Sequence, residues 1–322
     1  MPLSRTASLV PFALAPDGRS FFAVVRSAGF SGVARIGARA KGMTGIKAFP
    51  DPNDEQAGGS FDGRWLVWKE FHGFSSFDDF AVYAWDSHTG RVSQIGASGE
   101  GPDGNFWESP WQGPDVRSGV ATWAQGSGVD GLADIHVYDL GAGSGQVIHA
   151  GHAGGPLLLG HGLVAWPESP SPGAFLRMYV AGALTGKPVA TPRALRILRG
   201  VSGLDTDGRQ IAYPSAAFES LWWSPSLSRA PKEILAARDD NHVDNSVQIG
   251  GRYIGFGIQP HLFVADTRTH RYLEIEHEFG WTELNSASLL VDYGSNAGRQ
   301  IDYRAHVVLV PLRELPRIPA CT

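Results

Sequence analysis

The sequence predicts an all-β protein folded as a single β-propeller with seven four-stranded blades, six blades being the alternative. Three observations lead to this prediction. A turn-and-strand unit recurs about every 43 residues, a second alternating strand follows most copies, and the 41 Gly and 21 Pro residues are spread along the whole chain. Many short strands joined by tight turns at such a period are typical of propeller blades.

Each unit begins with a turn such as Asp62-Gly63-Arg64, followed by a short apolar strand that ends in a large residue. The closing residues are Val25, Trp68, Trp123, Trp166, Tyr213, Phe256 and Tyr293. They are separated by 43, 55, 43, 47, 43 and 37 residues, and a long loop fills the 55-residue step. No segment carries a sustained 3.6-residue apolar pattern, which excludes a helical repeat.

Each blade is expected to contain strands A to D, counted from the inside outward. Strands such as Phe80–Asp86 alternate and end in an Asp-x-x-Thr-Gly turn, which is typical of a hairpin. The whole chain, 1–322, forms one domain in this prediction. The predicted blades are 12–48, 52–97, 105–150, 154–192, 198–236, 242–277 and 281–312.

The last unit ends after its third strand, near Leu312, while the apolar segment Ser8-Leu9-Val10-Pro11-Phe12 precedes the first unit. We therefore expect residues 8–12 to supply the missing outer strand of the last blade. Such an exchange would close the propeller and cover an exposed sheet edge.

The segment Leu14-Ala15-Pro16-Asp17-Gly18-Arg19 and the recurring strand–Asp-x-x-Thr-Gly pattern resemble the TolB-like and WD40-like propeller repeats of bacteria. The resemblance covers nearly the whole chain and implies the fold. It implies no single activity, because such propellers include scaffolds, gating domains of peptidases and polysaccharide lyases.

Composition excludes several classes of function. The net charge of −5 and the absence of Lys/Arg runs argue against binding to nucleic acid. No apolar stretch approaches the roughly 18–20 residues that span a membrane. The single cysteine, Cys321, forms no internal disulfide. The sequence also lacks a nucleophile elbow, a P-loop and a His-Glu-x-x-His motif.

The amino-terminal residues Met1 to Arg5 lack the apolar region of a signal peptide. We expect a secreted or periplasmic protein whose signal has been removed, with a cytoplasmic location as the alternative. We also expect a monomer that binds a carbohydrate or another small molecule.

The B–C and D–A loops of a propeller emerge on one face, at the mouth of the central channel, where ligands bind. The sequence predicts that the second B–C loop holds Lys69, Glu70 and His72, which together offer acid–base chemistry. The alternative is a solvated loop with a local Lys–Glu pair.

Two D–A loops combine tryptophan with acidic residues: Trp107, Glu108 and Trp111 in the third, and Trp281 and Glu283 in the seventh. Aromatic rings stack on the apolar faces of sugars while polar groups bind the hydroxyls. The alternative is that these tryptophans cover the core beneath a long loop.

The sixth D–A and B–C loops offer His242, Asp244, Gln259 and His261, and the fourth B–C loop offers Glu168. His242, His261 and Gln259 are candidate ligands of a divalent metal in the channel, although no tight ligand spacing is present. The alternatives for the loop carboxylates are glycoside chemistry or the binding of Ca²⁺ by Glu108, Glu168, Asp244 and Glu283.

The leading hypothesis is an exported propeller that binds or processes a carbohydrate at the channel mouth, and its most specific form is a lyase that uses His72 or His242 as its acid/base. The alternatives are a non-catalytic protein-interaction scaffold and a small-molecule enzyme with an unusual propeller active site.

Overall fold

The computed structural model describes residues 8–37, 42–51, 55–72, 78–109, 112–128, 132–151, 154–168, 177–196, 198, 203–236, 242–243, 247–258, 261–275, 282–295 and 302–315. These residues form seven antiparallel sheets and two short 3-10 turns, Gly160–Gly162 and Leu312–Glu314. The all-β prediction and the count of seven blades are confirmed. No helix in the described part is long and apolar enough to cross a membrane.

The first three sheets contain four strands each, paired in sequence order. The first sheet is β1 (Ser8–Leu14), β2 (Ser20–Ser27), β3 (Phe30–Gly37) and β4 (Met43–Ala48). The second is β5 (Glu55–Phe61), β6 (Trp65–Phe71), β7 (Phe80–Asp86) and β8 (Val92–Ala97). The third is β9 (Asp115–Arg117), β10 (Val120–Gly126), β11 (Ala133–Asp139) and β12 (Ser144–Gly151).

The fourth sheet has three strands, β13 (Leu157–Leu159), β14 (Leu163–Glu168) and β15 (Arg177–Gly182). Beside β15, the N–H of Val189 donates to the carbonyl of Val180 at 2.9 Å. The residues around Val189 therefore occupy the place of a fourth strand. The fifth sheet is β16 (Asp205–Thr206), β17 (Ile211–Pro214), β18 (Ser220–Ser224) and β19 (Lys232–Ala236). The sixth is β20 (Gln248–Gly250), β21 (Tyr253–Ile258), β22 (His261–Asp266) and β23 (Arg271–Ile275), and the seventh is β24 (Thr282–Leu284), β25 (Ser288–Ser295) and β26 (Asp302–Pro311).

The sheets belong to two compact units. The terminal unit contains Met1–Gly29, Arg35–Thr44 and Pro192–Thr322, and the middle unit contains Phe30–Ala34 and Gly45–Thr191. In the middle unit, apolar side chains fill the space between the second and third sheets and between the third and fourth. In the terminal unit they fill the spaces on both sides of the sixth sheet. Burial of these faces between neighbouring sheets is the main stabilising contribution.

The residues that close the second strands occupy equivalent, buried positions, as predicted. Trp68, Trp123, Trp166, Tyr213 and Phe256 are each at most 4% exposed. The residue directly opposite on the third strand is again a flat ring in five sheets: Tyr83, His136, Tyr179, Trp222 and Phe263. Such cross-strand ring pairs stabilise antiparallel sheets. The sequence prediction overlooked this second set.

Neighbouring sheets are also joined by polar bonds at their inner strands and turns. The Asp115 carboxylate accepts the N–H of Leu158 at 2.7 Å, and the Asp205 carboxylate accepts the N–H of Ile249 at 2.7 Å. The first and last sheets are joined in the same manner, because Asn285 Nδ2 donates to the carbonyl of Ala15 at 3.0 Å. In each case a side chain of one blade satisfies a backbone N–H or C=O group of the neighbouring blade.

The prediction that residues 8–12 complete the last blade is wrong. They lie in β1, which pairs with β2 as the first strand of the first sheet, and β1 packs against β26 without joining its sheet. Burial explains the difference. Residues Pro11 to Leu14 of β1 are all buried, whereas the outer strands β8, β19 and β23 contain no buried residue. The segment is thus suited to an inner position.

Candidate functional site

Lys69 and Glu70 do not lie in a loop, contrary to the prediction. Both belong to strand β6, which continues to Phe71, and both are 0% exposed. Because successive side chains of a strand point to opposite faces, the amine and the carboxylate enter two different environments. They therefore do not form a local pair.

Glu70 lies against the outer strand of the preceding sheet. Its Oε1 is 2.5 Å from Nζ of Lys47 on β4, and its Oε2 accepts the indole N–H of Trp68 at 3.4 Å. The Lys47 amine also lies 4.4 Å from the centre of the Tyr83 ring, which is stacked on Trp68. The buried carboxylate is thus neutralised by a neighbouring blade.

Glu168 has an equivalent environment two sheets further on. Its Oε2 lies 2.8 Å from Nε2 of His149 on β12 and 3.2 Å from the indole nitrogen of Trp166. The His149 ring lies 5.0 Å from the Trp166 ring. Both contacts thus consist of a Trp-x-Glu segment on one sheet and a basic side chain from the outer strand of the sheet before it.

We call this arrangement the clasp. The strand register identifies the residue at the basic position on the outer strands of the second, third and fifth sheets as Gly96, His149 and Leu235. Each follows a bulge and pairs with the third-strand residue that precedes the ring described above. Gly96 faces the Trp123 ring, which is followed two residues later by the neutral Gln125. Leu235 and Ile258 both pack against the apolar cluster that contains Phe256, so this clasp is apolar. In both cases, therefore, the carboxylate faces a basic side chain of the preceding sheet, which indicates a role in blade packing for Glu70 and Glu168.

Lys69 faces the other side of β6 and is enclosed by aromatic rings. Its Nζ lies 3.9 Å from the centre of the Phe80 ring and 5.7 Å from that of Phe71. Burial lowers the pKa of the amine to about 7, and the nearby Asp78 carboxylate opposes part of this decrease. A buried amine of this kind is a frequent feature of functional sites.

Asp78 connects this region to the long loop that follows β8. Its Oδ1 accepts the N–H of Ser109 at 3.2 Å. The Ser109 hydroxyl accepts the N–H of Gly126 at 2.8 Å and donates to the carbonyl of Trp107 at 3.0 Å. The end of the loop is therefore fixed to β10 and to the start of β7.

His72 follows β6 and is oriented by the residue next to Asp78. The imidazole Nδ1 lies 3.0 Å from Oδ1 of Asp79, and the His72 N–H donates to the Asp79 carbonyl at 3.0 Å. The two side chains are 36% and 29% exposed. A carboxylate that holds one ring nitrogen leaves the other available for proton transfer.

The loop itself is ordered by its own backbone. The N–H of Gly101 donates to the carbonyl of Asn105 at 2.8 Å, and the N–H of Trp107 donates to that of Gly99 at 2.9 Å. The half-buried Trp107 ring lies against Gly99 and Gly128, which leave room for it by lacking side chains. Trp107 thus anchors the loop, while Phe106 is 36% exposed and Glu108 is exposed.

Replacing Gly99 by alanine should displace Trp107, because the added methyl group would meet the indole ring. We expect a loss of about 1–3 kcal/mol in the free energy of unfolding, the usual cost of overpacking. Urea denaturation monitored by tryptophan fluorescence measures it. Gly37→Ala is the control, since a methyl group there has open space. Equal stability of the two variants would contradict the anchoring role.

The remaining predicted residues are not gathered into one site by the described contacts. His261 begins β22 and pairs through Nδ1 with Glu274 at 2.9 Å. His242 is exposed, and Glu283 lies half-buried in β24. Four predicted residues lie outside the described residues: Trp111, Asp244, Gln259 and Trp281.

Among the described residues, no three His, Cys, Asp or Glu side chains are grouped so as to hold a metal ion. His261, one of the predicted ligands, has its Nδ1 directed to Glu274.

The described contacts relate two of the predicted residues to the hairpin that starts β7: Lys69 lies near Asp78, which also holds the loop end at Ser109, and His72 pairs with Asp79. The connecting groups are Asp78 and Asp79, which the sequence prediction missed. Asp79 is seven residues from His72, and only a hairpin between β6 and β7 makes the two adjacent. The predicted pairing of these two strands could have revealed the His72–Asp79 contact, whereas the composition of the loop alone could not.

No protein-family model matches the sequence, and no curated protein is similar to it, so the TolB-like resemblance stays a prediction. Solved structures do match. The β-propeller domain of the Trilobed protease from Pyrococcus furiosus is 9% identical with a TM-score of 0.63, over 99% of this chain and 97% of that one. An oligogalacturonate lyase in complex with manganese is 11% identical with a TM-score of 0.58, over 89% and 87%.

A prolyl endopeptidase is 14% identical with a TM-score of 0.61 over 94% of this chain, which spans only 46% of the peptidase. These proteins differ in activity, and at such low identity the likeness extends to the fold alone. Together with the seven sheets described above, it identifies the chain as a seven-bladed β-propeller.

Proposed function

We propose that this propeller binds and processes a carbohydrate, or a similar amphipathic molecule, at the surface formed by His72, Asp79, Phe106 and Glu108. The observation that carries the proposal is the His72–Asp79 pair, with 3.0 Å between Nδ1 and Oδ1 and a partly exposed imidazole. An imidazole oriented in this way is the usual acid–base group of enzymes that work near neutral pH.

The neighbouring loop supplies groups that suit a sugar. Phe106 presents an exposed ring on which the apolar face of a pyranose can stack, and Glu108 is an exposed acceptor for hydroxyl groups. The anchoring of Trp107 among glycines keeps these neighbours in place, which lowers the entropy lost on binding.

The reaction class that fits a single oriented histidine is β-elimination of a uronate. Nε2 of His72 would take the proton from the carbon next to the carboxylate. The electron pair forms a carbon–carbon double bond as the glycosidic carbon–oxygen bond breaks, and the leaving oxygen takes up a proton from water. The similarity to an oligogalacturonate lyase supports this class by analogy of fold only.

A non-catalytic interaction scaffold is the second candidate. It is favoured by the clasps, because they occupy two of the carboxylates, Glu70 and Glu168, that the sequence offered for chemistry. In this case His72 and the loop would contribute to affinity for a protein or peptide and not to turnover.

The two candidates differ in the effect of His72→Gln. We expect the enzyme to lose at least about a hundredfold in turnover, the usual contribution of an acid–base group, with an unchanged melting temperature. Oligogalacturonates are the substrates, neutral oligosaccharides, which cannot undergo this elimination, are the negative control, and the ultraviolet absorbance of the unsaturated product is the measurement. Asp79→Asn should act in the same direction.

His88→Gln is the control, since this exposed histidine lies in the turn between β7 and β8, at the other end of β7. Binding of an oligosaccharide without turnover would support a binding role for this surface. Wild-type turnover in His72→Gln would overturn the catalytic assignment.

A further inference from the structure

The junction between the second and third sheets contains a histidine where the sixth sheet has a phenylalanine. His136 on β11 lies opposite Trp123 and stacks on it, with 5.2 Å between the ring centres and 14° between the ring planes. Phe263 and Phe256 form the same stack in the sixth sheet, at 5.4 Å and 14°. The imidazole therefore occupies a position that an uncharged ring fills equally well.

The polar atoms of this stack are buried without hydrogen bonds. Among the described residues, neither Nε2 of His136 nor the indole Nε1 of Trp123 has a hydrogen-bond partner. The same holds for Oδ1 of Asp134, which lies two residues before His136 on the same face of β11. A neutral imidazole tolerates this environment at a modest cost, whereas an imidazolium would be a buried charge without a direct bond.

Lys69 faces the same junction from the second sheet. It lies between Val67 and Phe71 on β6, and these two residues belong to one apolar cluster with Trp123. Because alternate residues of a strand share a face, the Lys69 amine enters the space between the second and third sheets. Its pKa of about 7 makes this amine cationic below neutral pH.

The nearby carboxylates compensate for only part of a further positive charge. Asp134 and Tyr138 are the titratable groups beside His136 on its own strand, and Lys69 and Asp78 are those that the second sheet contributes. Burial lowers the pKa of the His136 imidazole, and the Asp134 carboxylate opposes part of this decrease. A proton that enters the junction after Lys69 is charged therefore adds a second buried cation.

The loop that follows β8 ends across this junction. Ser109 donates its N–H to Asp78 of the second sheet and accepts the N–H of Gly126 from the third. At the inner edge of the junction, two further carboxylates, Asp62 and Asp115, join the same sheets through hydrogen bonds. The loop end is thus held in place only while the two sheets stay packed together.

We propose that this junction is acid-sensitive: protonation of His136 separates its stack from the second sheet and releases the loop end at Ser109. The imidazolium regains solvation in the open form, so the open form binds the additional proton. Closure is therefore most favourable above about pH 6.5, the ordinary pKa of an imidazole, and becomes less so as the pH falls below that value. Any effect on turnover, through Phe106 and Glu108, rests on the proposed function, whereas release of the loop does not.

The test is amide hydrogen exchange of the intact protein at pH 7 and pH 5, expressed as protection relative to the intrinsic rate at each pH. We expect the N–H groups of Ser109 and Gly126 to lose protection several-fold at pH 5. The limit is about thirtyfold, the protonated-to-neutral ratio at pH 5 of an imidazole with a pKa of about 6.5.

His136→Phe copies the stack of the sixth sheet, so it should fold and keep its protection at pH 5 to within about twofold, the residual effect of Lys69. His88→Gln, which removes an exposed histidine, should behave as the wild type. The N–H of Ile249, which binds Asp205 between the fifth and sixth sheets, should stay protected in all three proteins.

Three results would overturn the proposal: no loss at Ser109 and Gly126 in the wild type, an equal loss in His136→Phe, or the same loss at Ile249. Loop release at pH 5 in a protein that turns over no oligosaccharide would support the acid-sensitive junction and count against the proposed function alone.

Discussion

Replacing Lys47 by methionine should destabilise the protein by about 3–5 kcal/mol at neutral pH, the usual cost of leaving one partner of a buried ion pair. The amine lies 2.5 Å from the Glu70 carboxylate, which is 0% exposed, and its own side chain is 17% exposed. Loss of the amine leaves a buried carboxylate whose remaining bond is a long one, from the Trp68 indole. Urea denaturation measures the change.

The apolar clasp shows how the loss can be reversed. Leu235 and Ile258 stand at the equivalent positions of the fifth and sixth sheets and pack with Phe256. The double substitution Lys47→Leu with Glu70→Ile copies that solution, and we expect it to recover most of the stability, because removing both charges also removes their desolvation cost. A double variant as unstable as Lys47→Met would show that the pair contributes more than charge balance.

The stability of the protein should rise between about pH 7 and about pH 10 because of Lys69. The pKa of this amine is about 7 in the folded chain, against about 10.4 for an unfolded one. Between these values the unfolded chain binds more protons, so the free energy of unfolding increases with pH, by about 3–4 kcal/mol over this interval. Below about pH 7 this contribution is constant.

Lys69→Met removes the titrating group, so its free energy of unfolding should lack this increase relative to the wild type. Urea denaturation at several pH values gives the difference between the two proteins. Lys187→Met controls for loss of a lysine at an exposed position and should follow the wild-type profile. Parallel profiles for wild type and Lys69→Met would show that the amine is solvated or fully neutralised by its surroundings.

Local signals predicted most of the fold. The Asp-Gly-Arg turns and the residues that close the second strands depend on neighbours within a few positions, so the blade count and the burial of Trp68 and its equivalents could be read directly. The pairing of β1 could not, because an apolar segment fits an inner or an outer strand until burial on both faces is known.

The contrast between local signals and distant contacts also explains which parts of the candidate site could be predicted. His72 was correctly recognised as a loop residue, but charged residues at the end of an apolar run suggested that the strand stopped at Trp68. Lys69 and Glu70 are tolerated inside the strand only because Phe80, Asp78 and Lys47 compensate for their burial. These partners come from other parts of the chain, so no local pattern could predict them.

The pairing of β1 within the first sheet determines how the first and last sheets are joined. Within the described residues, the first and last sheets meet through side-chain packing and the Asn285 bond to Ala15, with no shared ladder of backbone bonds. A join made by strand exchange can part only after a row of hydrogen bonds is exposed to water. The junction of the first and last sheets can separate by losing side-chain packing and the Asn285–Ala15 bond, while the backbone hydrogen bonds within each sheet stay intact.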